Sequence, residues 1–337
     1  MNTLKLAVIG ATGAVGYVFL QILEQQQAFE YELGLFASYR SAGKEINHRG
    51  IKYVVEETNL EKLLDFDVAF VSVSSSISKI LVPQLVNAGI TVIDDSSAFR
   101  MNSDVPLVVP EINAADLEQH HGIVAIPNCS TTQLVMVLHP LIIKNKIKRV
   151  IVDTYQAVSG AGSSAITELK KELSDESIAP VVLPQKIAFN VIPQIEDFVS
   201  NGYSKEEEKM DRETRKILHD SDIKVSATCV RVPVIFGHSE AVHIDFEEEI
   251  SVDDVRDILS KFPGITLIDN LQENEYPMPL NVVGKDDVFV GRIRKDVSNS
   301  KGIVMWIVSD NLRKGASLNA IQILKAMIER KCLKANN

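Results

Sequence analysis

A cysteine at the entrance to a helix is the residue in this sequence best suited to covalent chemistry. The segment GIVAIPNCSTTQLVMVLHPLIIK sets Cys129 between a short apolar strand and an apolar-periodic helix, with Asn128, Ser130, Thr131 and Thr132 as cap-type residues. A thiol at a helix N-terminus lies in a positive potential, which raises its thiolate fraction. The free N–H groups there would also stabilise an oxyanion developing on an attacked carbonyl. Taken alone, Cys129 fits a buried packing cysteine equally well. Cys229 and Cys332 lack the helix-start context and read as packing or surface residues. Three cysteines without a Cys-x-x-Cys spacing fit neither a disulfide framework nor a zinc site, so a reducing compartment and no metal are expected.

Near the start of the chain a glycine loop has the form that holds a dinucleotide. Gly10-Ala11-Thr12-Gly13-Ala14-Val15-Gly16 follows the strand-like run TLKLAVI and precedes a helical pattern over roughly Val15–Gln27. Glycines permit the tight turn and a close approach of backbone to pyrophosphate, and the helix start supplies N–H donors. The G-x-x-G-x-x-G spacing differs from the commoner G-x-G-x-x-G, so the strand–helix context carries the inference. The second strand, ELGLFAS, runs into Tyr39, Arg40 and Ser41, with no acid before Glu45. An acid there would bind a ribose 2′-hydroxyl, whereas Arg40 and Ser41 suit a 2′-phosphate, so NADP is expected over NAD.

Candidates for proton transfer and anion binding are scattered. RVPVIFGHSEAV holds Arg231 and His238, which an extended chain would place far apart on opposite faces unless Gly237 makes a turn. A histidine there can exchange protons near neutral pH. The remaining histidines (His48, His120, His121, His139, His219 and His243) read as surface or core residues. Arg100 follows a strand end in SSAFR. SKEEEKMDRETRKIL reads as a helix with Ser204 and Glu207 in capping-box positions and a buried stripe of Met210, Thr214, Ile217 and Leu218. Glu206 and Lys209 stand one turn apart beside that stripe, where they can act together.

These residues need a scaffold of alternating strands and helices. VAFVSVS, the helix SKILVPQLVNAG, ITVIDDS, LVVP and GIVAIP continue the rhythm set by the first strand and helix. It predicts an N-terminal Rossmann-like, doubly wound parallel sheet. After residue 130 long alternating strands predominate, among them VIVDTYQAVSG, IKVSATCVRVPV, AVHIDFEE, VFVGRIRKD and GIVMWIVSD. They predict a second, α+β domain on a mixed, mostly antiparallel sheet. The last segment is helical and is expected to rejoin the first domain, giving 1–128 plus 311–337 for cofactor and 129–310 for catalysis, substrate and dimerisation. The uncharged stretch Leu6–Leu23 is long enough to raise a membrane span, but its regular glycines are explained by a strand–turn–helix and not by a span. A net charge of −10 over 337 residues argues against nucleic acid and requires local positive charge if the substrate is anionic. No membrane or nucleic-acid partner is expected, and the cytoplasm is the expected location.

IPNCSTTQ, with DDSSAFR before it, TYQAVSGAG after it and RVPVIFGHSE further on, resembles the aspartate-semialdehyde dehydrogenase family, and the likeness runs from GATGAVG to SDNLRKGA. The resemblance implies NADPH-dependent reductive dephosphorylation of L-aspartyl 4-phosphate to L-aspartate 4-semialdehyde through a cysteine thioester. It places the step on the way to lysine (through diaminopimelate), methionine and threonine. It implies Cys129 as nucleophile, His238 as acid/base and Gln156 as the residue orienting substrate beside the cysteine. Arg231 would take the substrate carboxylate, Glu206 its ammonium, and Arg100 and Lys209 the phosphate, with Asn128 also lining the substrate. Gly10, Thr12, Gly13, Ala14, Val15, Arg40 and Ser41 would hold the dinucleotide, with Ser159, Gly160 and Asn311 near the nicotinamide. A homodimer or homotetramer is implied. The alternatives are an N-acetyl-glutamyl-phosphate reductase-like enzyme, against which Glu206 speaks, a glyceraldehyde-3-phosphate-type dehydrogenase, against which Arg40 speaks, and a non-catalytic nucleotide-binding paralogue, against which the pair Cys129 and His238 speaks.

Overall fold

The structure is a computed structural model that describes residues 3–26, 29–175 and 177–333. Gln27, the end of the expected first helix, lies outside them. The chain divides into two compact units, Met1–Pro127 with Ala316–Asn337, and Asn128–Gly315.

The first unit is built on β1 (Leu4–Ile9), β2 (Tyr31–Ala37), a separate hairpin of β3 (Glu45–His48) and β4 (Ile51–Val54), and then β5 (Glu56–Glu57), β6 (Val68–Val71), β7 (Thr91–Asp94) and β8 (Ile123–Ala125). The six strands outside the hairpin form one all-parallel sheet in the order β5-β2-β1-β6-β7-β8. Both faces of a parallel sheet are covered, so its strands are apolar without alternation, and Leu6 to Ile9 and Val68 to Val71 are buried throughout. Helix Ala14–Gln26 buries Phe19, Leu20, Ile22 and Leu23, and the Phe19 ring stacks on Phe70 at 4.2 Å. The order reverses at β1, whose neighbours β2 and β6 leave it in opposite directions, so the crevice for a ligand opens at the carboxyl ends of β1 and β6. LVVP contributes only the single bridge Leu107 to Ala125, because Pro110 begins a short helix at once. The C-terminal helix Leu318–Glu329 belongs to this unit: Ser317 Oγ donates to the Val15 carbonyl at 2.8 Å and Asn319 Nδ2 to the Val108 carbonyl at 2.8 Å. No helix among the described residues is long and apolar enough to cross a membrane.

The second unit carries β9 (Ile147–Gln156), β10 (Lys224–Arg231), β11 (His238–Phe246), β12 (Ile265–Leu267), β13 (Val288–Lys295) and β14 (Gly302–Ser309) in the order β10-β9-β11-β14-β13-β12. The central pairings β9–β11, β11–β14 and β13–β14 are antiparallel. The outer pairings β9–β10 and β12–β13 are parallel. Helix Cys129–Ile142 packs on β9, β11 and β14, and helix Lys205–Leu218 packs on β10 and on the first helix. Strand alternation sends Thr154, Gln156, Cys229, Arg231, His238, Glu240 and Ser309 to buried positions. Register places Arg231 beside Gln156 on neighbouring strands and His238 opposite Ser309. On the other face the rings of Tyr155 and Trp306 meet at a tilt, their centres 5.3 Å apart, and remain partly exposed, and Leu218, expected in the buried stripe of its helix, is only half-buried.

Candidate active site

The nucleophile candidate is held by its neighbour. Asn128 caps the helix, its Oδ1 accepting from the N–H groups of Ser130 at 2.9 Å and Thr131 at 3.2 Å. Its Nδ2 donates to Glu206 at 2.9 Å, and its own N–H donates to Glu213 at 2.7 Å. The turn carrying Cys129 is thus fastened to two carboxylates of one helix, spaced so that both face the same way. Cys129 is the first helical residue and half-buried. The backbone of Gly315 lies against it so closely that a Cβ on Gly315 would stand 2.7 Å from the cysteine Cβ and 3.2 Å from its Cα. Gly315→Ala must therefore shift the helix start, and we expect kcat to fall about tenfold to a hundredfold with little change in cofactor affinity. Equal kcat in the variant, measured by steady-state turnover, would show that the nucleophile tolerates displacement.

Glu206 is the centre of the polar cluster. Its Oε1 accepts from Asn128 and from Gln156 Nε2 at 3.2 Å, and its Oε2 accepts from Lys209 at 3.2 Å. Lys209 also pairs with Glu196 at 2.5 Å. Burial works against the Glu206 charge, but Lys209, Asn128, Arg231 and Gln156 outweigh it and hold the carboxyl below its ordinary value. It therefore stays ionised. Arg231 is buried and donates through Nη1 to the Ala157 carbonyl at 2.8 Å. Burial pulls its guanidinium down, while Glu206 and an ionised Cys129 oppose that pull.

His238 follows Gly237, whose φ of +88° makes the turn that the Arg231–His238 spacing requires. A Cβ on Gly160 would lie 2.9 Å from Arg231 Nη1 and 3.1 Å from His238 Nε2, so the two side chains do converge, and on a residue without a side chain. Asn311 secures the turn: its Oδ1 accepts from the Gly237 N–H at 2.9 Å, and its amide exchanges hydrogen bonds with Ser159 Oγ. The second unit thus gathers Asn128, Cys129, Gln156, Ser159, Gly160, Glu206, Lys209, Arg231, His238 and Asn311.

The remaining candidates lie in the first unit. Gly10 has φ +92°, and a Cβ there would meet the Ser72 carbonyl oxygen at 2.1 Å. A Cβ on Gly16 would meet the Gly10 oxygen at 2.3 Å, so the loop and the first helical turn are pressed together as a pyrophosphate cradle requires. Helix Ala14–Gln26 has no acid in its first turn to compete with a phosphate. Arg40 is exposed beyond β2, its guanidinium 5.7 Å from the Tyr39 ring centre, and Ser41 is half-buried. These residues fit a dinucleotide that carries a 2′-phosphate. Arg100 is buried and donates to the Asp95 carbonyl at 2.9 Å. No cluster of His, Cys, Asp or Glu suited to a metal ion occurs among the described residues.

Three residues at this site have no counterpart in the motif reading. Glu213 is seven residues beyond Glu206, two turns along the same helix face, a spacing that was available in the sequence. Gly315 and Glu240 carry no local signal, because what matters about each is a neighbour distant in the chain.

Comparison with known proteins gives a consistent picture. Residues 5–120 match the family model for the semialdehyde dehydrogenase NAD binding domain, and residues 138–314 match the semialdehyde dehydrogenase dimerisation domain. The aspartate-semialdehyde dehydrogenase of Aquifex aeolicus is 49% identical over 333 residues, covering 96% of this chain and 98% of that relative. The crystal structure of aspartate semialdehyde dehydrogenase II from Vibrio cholerae complexed with ASA superposes with a TM-score of 0.93 at 40% identity, covering 98% of this chain and 99% of that one. The aspartate semialdehyde dehydrogenase of Candida albicans, crystallised with NADP, superposes with a TM-score of 0.77 at 29% identity, covering 98% of this chain and 100% of that one.

Proposed function

This chain belongs to the aspartate-semialdehyde dehydrogenase family, and from that premise we propose how its residues divide the chemistry of converting L-aspartyl 4-phosphate to L-aspartate 4-semialdehyde. The observation that carries the reading is the joining of the Cys129 helix start to Glu206 through Asn128. A nucleophile and a buried, ionised acid stand on one rigid connection. An amino-acid substrate brings both an ammonium and a carboxylate, and the cluster offers Glu206 to the first and Arg231 to the second. An acetylated amine would have no use for a buried carboxylate, which disfavours the acetyl-glutamyl alternative.

Cys129 attacks the acyl carbon from the start of the helix whose first N–H groups Asn128 caps. Gln156, fixed by Glu206 and by Thr154 at 3.3 Å, positions the substrate, and His238 addresses its oxygen. Arg100 and Lys209 take the phosphate. The cofactor is NADP, which when bound supplies or accepts the hydride. Gly10, Thr12, Gly13, Ala14 and Val15 would hold its pyrophosphate and Arg40 with Ser41 its 2′-phosphate, while Ser159, Gly160 and Asn311 serve the nicotinamide end. The enzyme works in the cytoplasm, in keeping with its free cysteines. The partly exposed sheet face around Tyr155, Ala241 and Trp306 serves self-association as a homodimer, which can pair further into a tetramer.

The test is phosphate-dependent NADP reduction with aspartate semialdehyde and, in parallel, with N-acetylglutamate semialdehyde. Turnover of the first alone is expected, and preference for the second would overturn the assignment. Arg40→Ala should raise KM for NADP about tenfold to a hundredfold and leave that for NAD nearly unchanged. An equal change for both cofactors would remove Arg40 from the 2′-phosphate.

A further inference from the structure

Lys209, assigned to the phosphate, already has two carboxylates on it. Its ammonium pairs with Glu196 Oε1 at 2.5 Å and with Glu206 Oε2 at 3.2 Å. The two acids are held very differently. Glu206 is buried on the same helix, and its other oxygen accepts from Asn128 and Gln156. Glu196 comes from an irregular segment before that helix, and its side chain is 43% exposed. Its backbone lies in the left-handed region, with φ of +64°, which a residue other than glycine keeps only when its surroundings hold it there. The holding groups stand on both sides. Gln194 Nε2 donates to the Glu196 carbonyl at 3.2 Å, and Ile195 is buried. Asp197 pairs with Lys205 at 2.7 Å, and its carbonyl accepts from the Lys205 N–H at 2.9 Å. The segment is thus tied to the first turn of the helix that carries Lys209, and its own turn sends one carboxylate to the polar cluster. That charge is felt beyond Lys209, for Glu196 is among the groups that oppose the downward pull of burial on the Arg231 guanidinium.

We propose that in the free enzyme the Glu196 carboxylate stands in for phosphate on Lys209, and that the incoming phosphate displaces it. The inference rests on the proposed role of Lys209 and deepens it. A phosphate dianion brought to Lys209 meets like charge on both acids. Glu206 is fixed by Asn128 and Gln156 and has the substrate ammonium to receive. Glu196 has water on one side and turns into it at small cost, since a partly exposed ion pair contributes little. No covalent bond changes and Lys209 keeps its proton; one anion replaces another on the same cation. The exchange serves turnover in both directions. In the free enzyme Glu196 keeps the ammonium from settling wholly on Glu206, which leaves that carboxylate to Asn128 and Gln156 at the Cys129 helix start. After phosphate has left the acyl group, the tethered carboxylate is at hand to take its place on Lys209, which favours departure.

Glu196→Gln keeps the shape of the side chain and removes its charge. In phosphate-dependent oxidation of aspartate semialdehyde, its KM for phosphate should fall about three- to tenfold, with the KM values for semialdehyde and NADP unchanged. A KM for phosphate equal to wild type makes Glu196 an ordinary surface ion pair, and a raised one makes it a support for Lys209; either result overturns the proposal. Lys209→Met, measured in parallel, tests the reading beneath. Its KM for phosphate should rise at least about tenfold. A wild-type value there would take Lys209 off the phosphate and end the proposal with it. If Lys209→Met behaves as expected and Glu196→Gln does not, only the displacement fails. The wild-type protein gives a readout that needs no variant. Amide hydrogen exchange over residues 195–199 should quicken when inorganic phosphate is added, and should not respond to sodium chloride at the same ionic strength, because a displaced Glu196 no longer holds its turn. Exchange that phosphate leaves unchanged or slows, or that chloride quickens equally, overturns the displacement.

Discussion

Cys129→Ala is expected to abolish turnover of aspartate semialdehyde, by about 10⁴-fold or more, while NADP still binds at wild-type strength. The size follows from what remains when the sulfur is gone. Neither other cysteine can substitute. Cys229 is fully buried, and burial together with Glu206 pushes its thiol far above the physiological range. Cys332 lies in the C-terminal segment of the other unit, and burial raises its thiol as well. Cys129→Ser should be nearly as inactive, since a hydroxyl is a far weaker nucleophile than a thiol at the same pH. Stopped-flow NADP reduction should show no burst in either variant, and intact-mass analysis should show the acyl adduct only in wild type. The capping hydrogen bonds come from Asn128 and not from the cysteine, so helix and fold should survive both substitutions. Wild-type-like turnover in the alanine variant would end the assignment of Cys129.

How much of this was legible in the sequence depended on the range of the interaction involved. The helix start at Asn128-Cys129 is a local matter of cap chemistry, and its position could be read directly. The same holds for the capping box of Ser204 and Glu207, both halves of which form. Pairing direction in the second sheet was harder. β9 and β10 look like members of one antiparallel series, yet they are parallel, because helices Ser163–Ser174 and Lys205–Leu218 lie between them in sequence and return the chain to the starting end. Arg231 and His238 could be joined only conditionally, through a turn at Gly237, and the condition is met. Gly315 was invisible in practice, since it matters through one close approach formed across a long stretch of chain. Six intervening residues can be reasoned about from φ preferences, but the 185 between Cys129 and Gly315 cannot.

Glu240→Gln is expected to stabilise the protein, and to do so more strongly as pH rises. Glu240 lies two residues beyond His238 on β11 and is completely buried. Neither of its carboxyl oxygens has a hydrogen-bond partner among the described residues. The amide of Gln133, one turn below Cys129 on its helix, is near enough to oppose the effect of burial without closing a bond, and its own Oε1 is occupied by the hydroxyl of Ser309 at 2.6 Å. Burial pushes the Glu240 carboxyl up to about 8 from an ordinary 4.5. Between those values the folded protein holds a proton that the unfolded chain has released. The unfolded state binds fewer protons there, so stability falls with rising pH across the window and is unaffected by this group below it. Glutamine has the same shape and no proton to lose. The variant should match wild type near pH 4.5 and gain on the order of 2–4 kcal/mol by pH 8, less than the full shift would give because a strained site relaxes. Denaturant midpoints at pH 5, 6.5 and 8 measure the divergence. Parallel curves for the two proteins would mean that Glu240 is ionised in the fold with its charge satisfied, and an advantage for wild type growing with pH would mean that the charge itself holds Gln133 and the Cys129 helix in place.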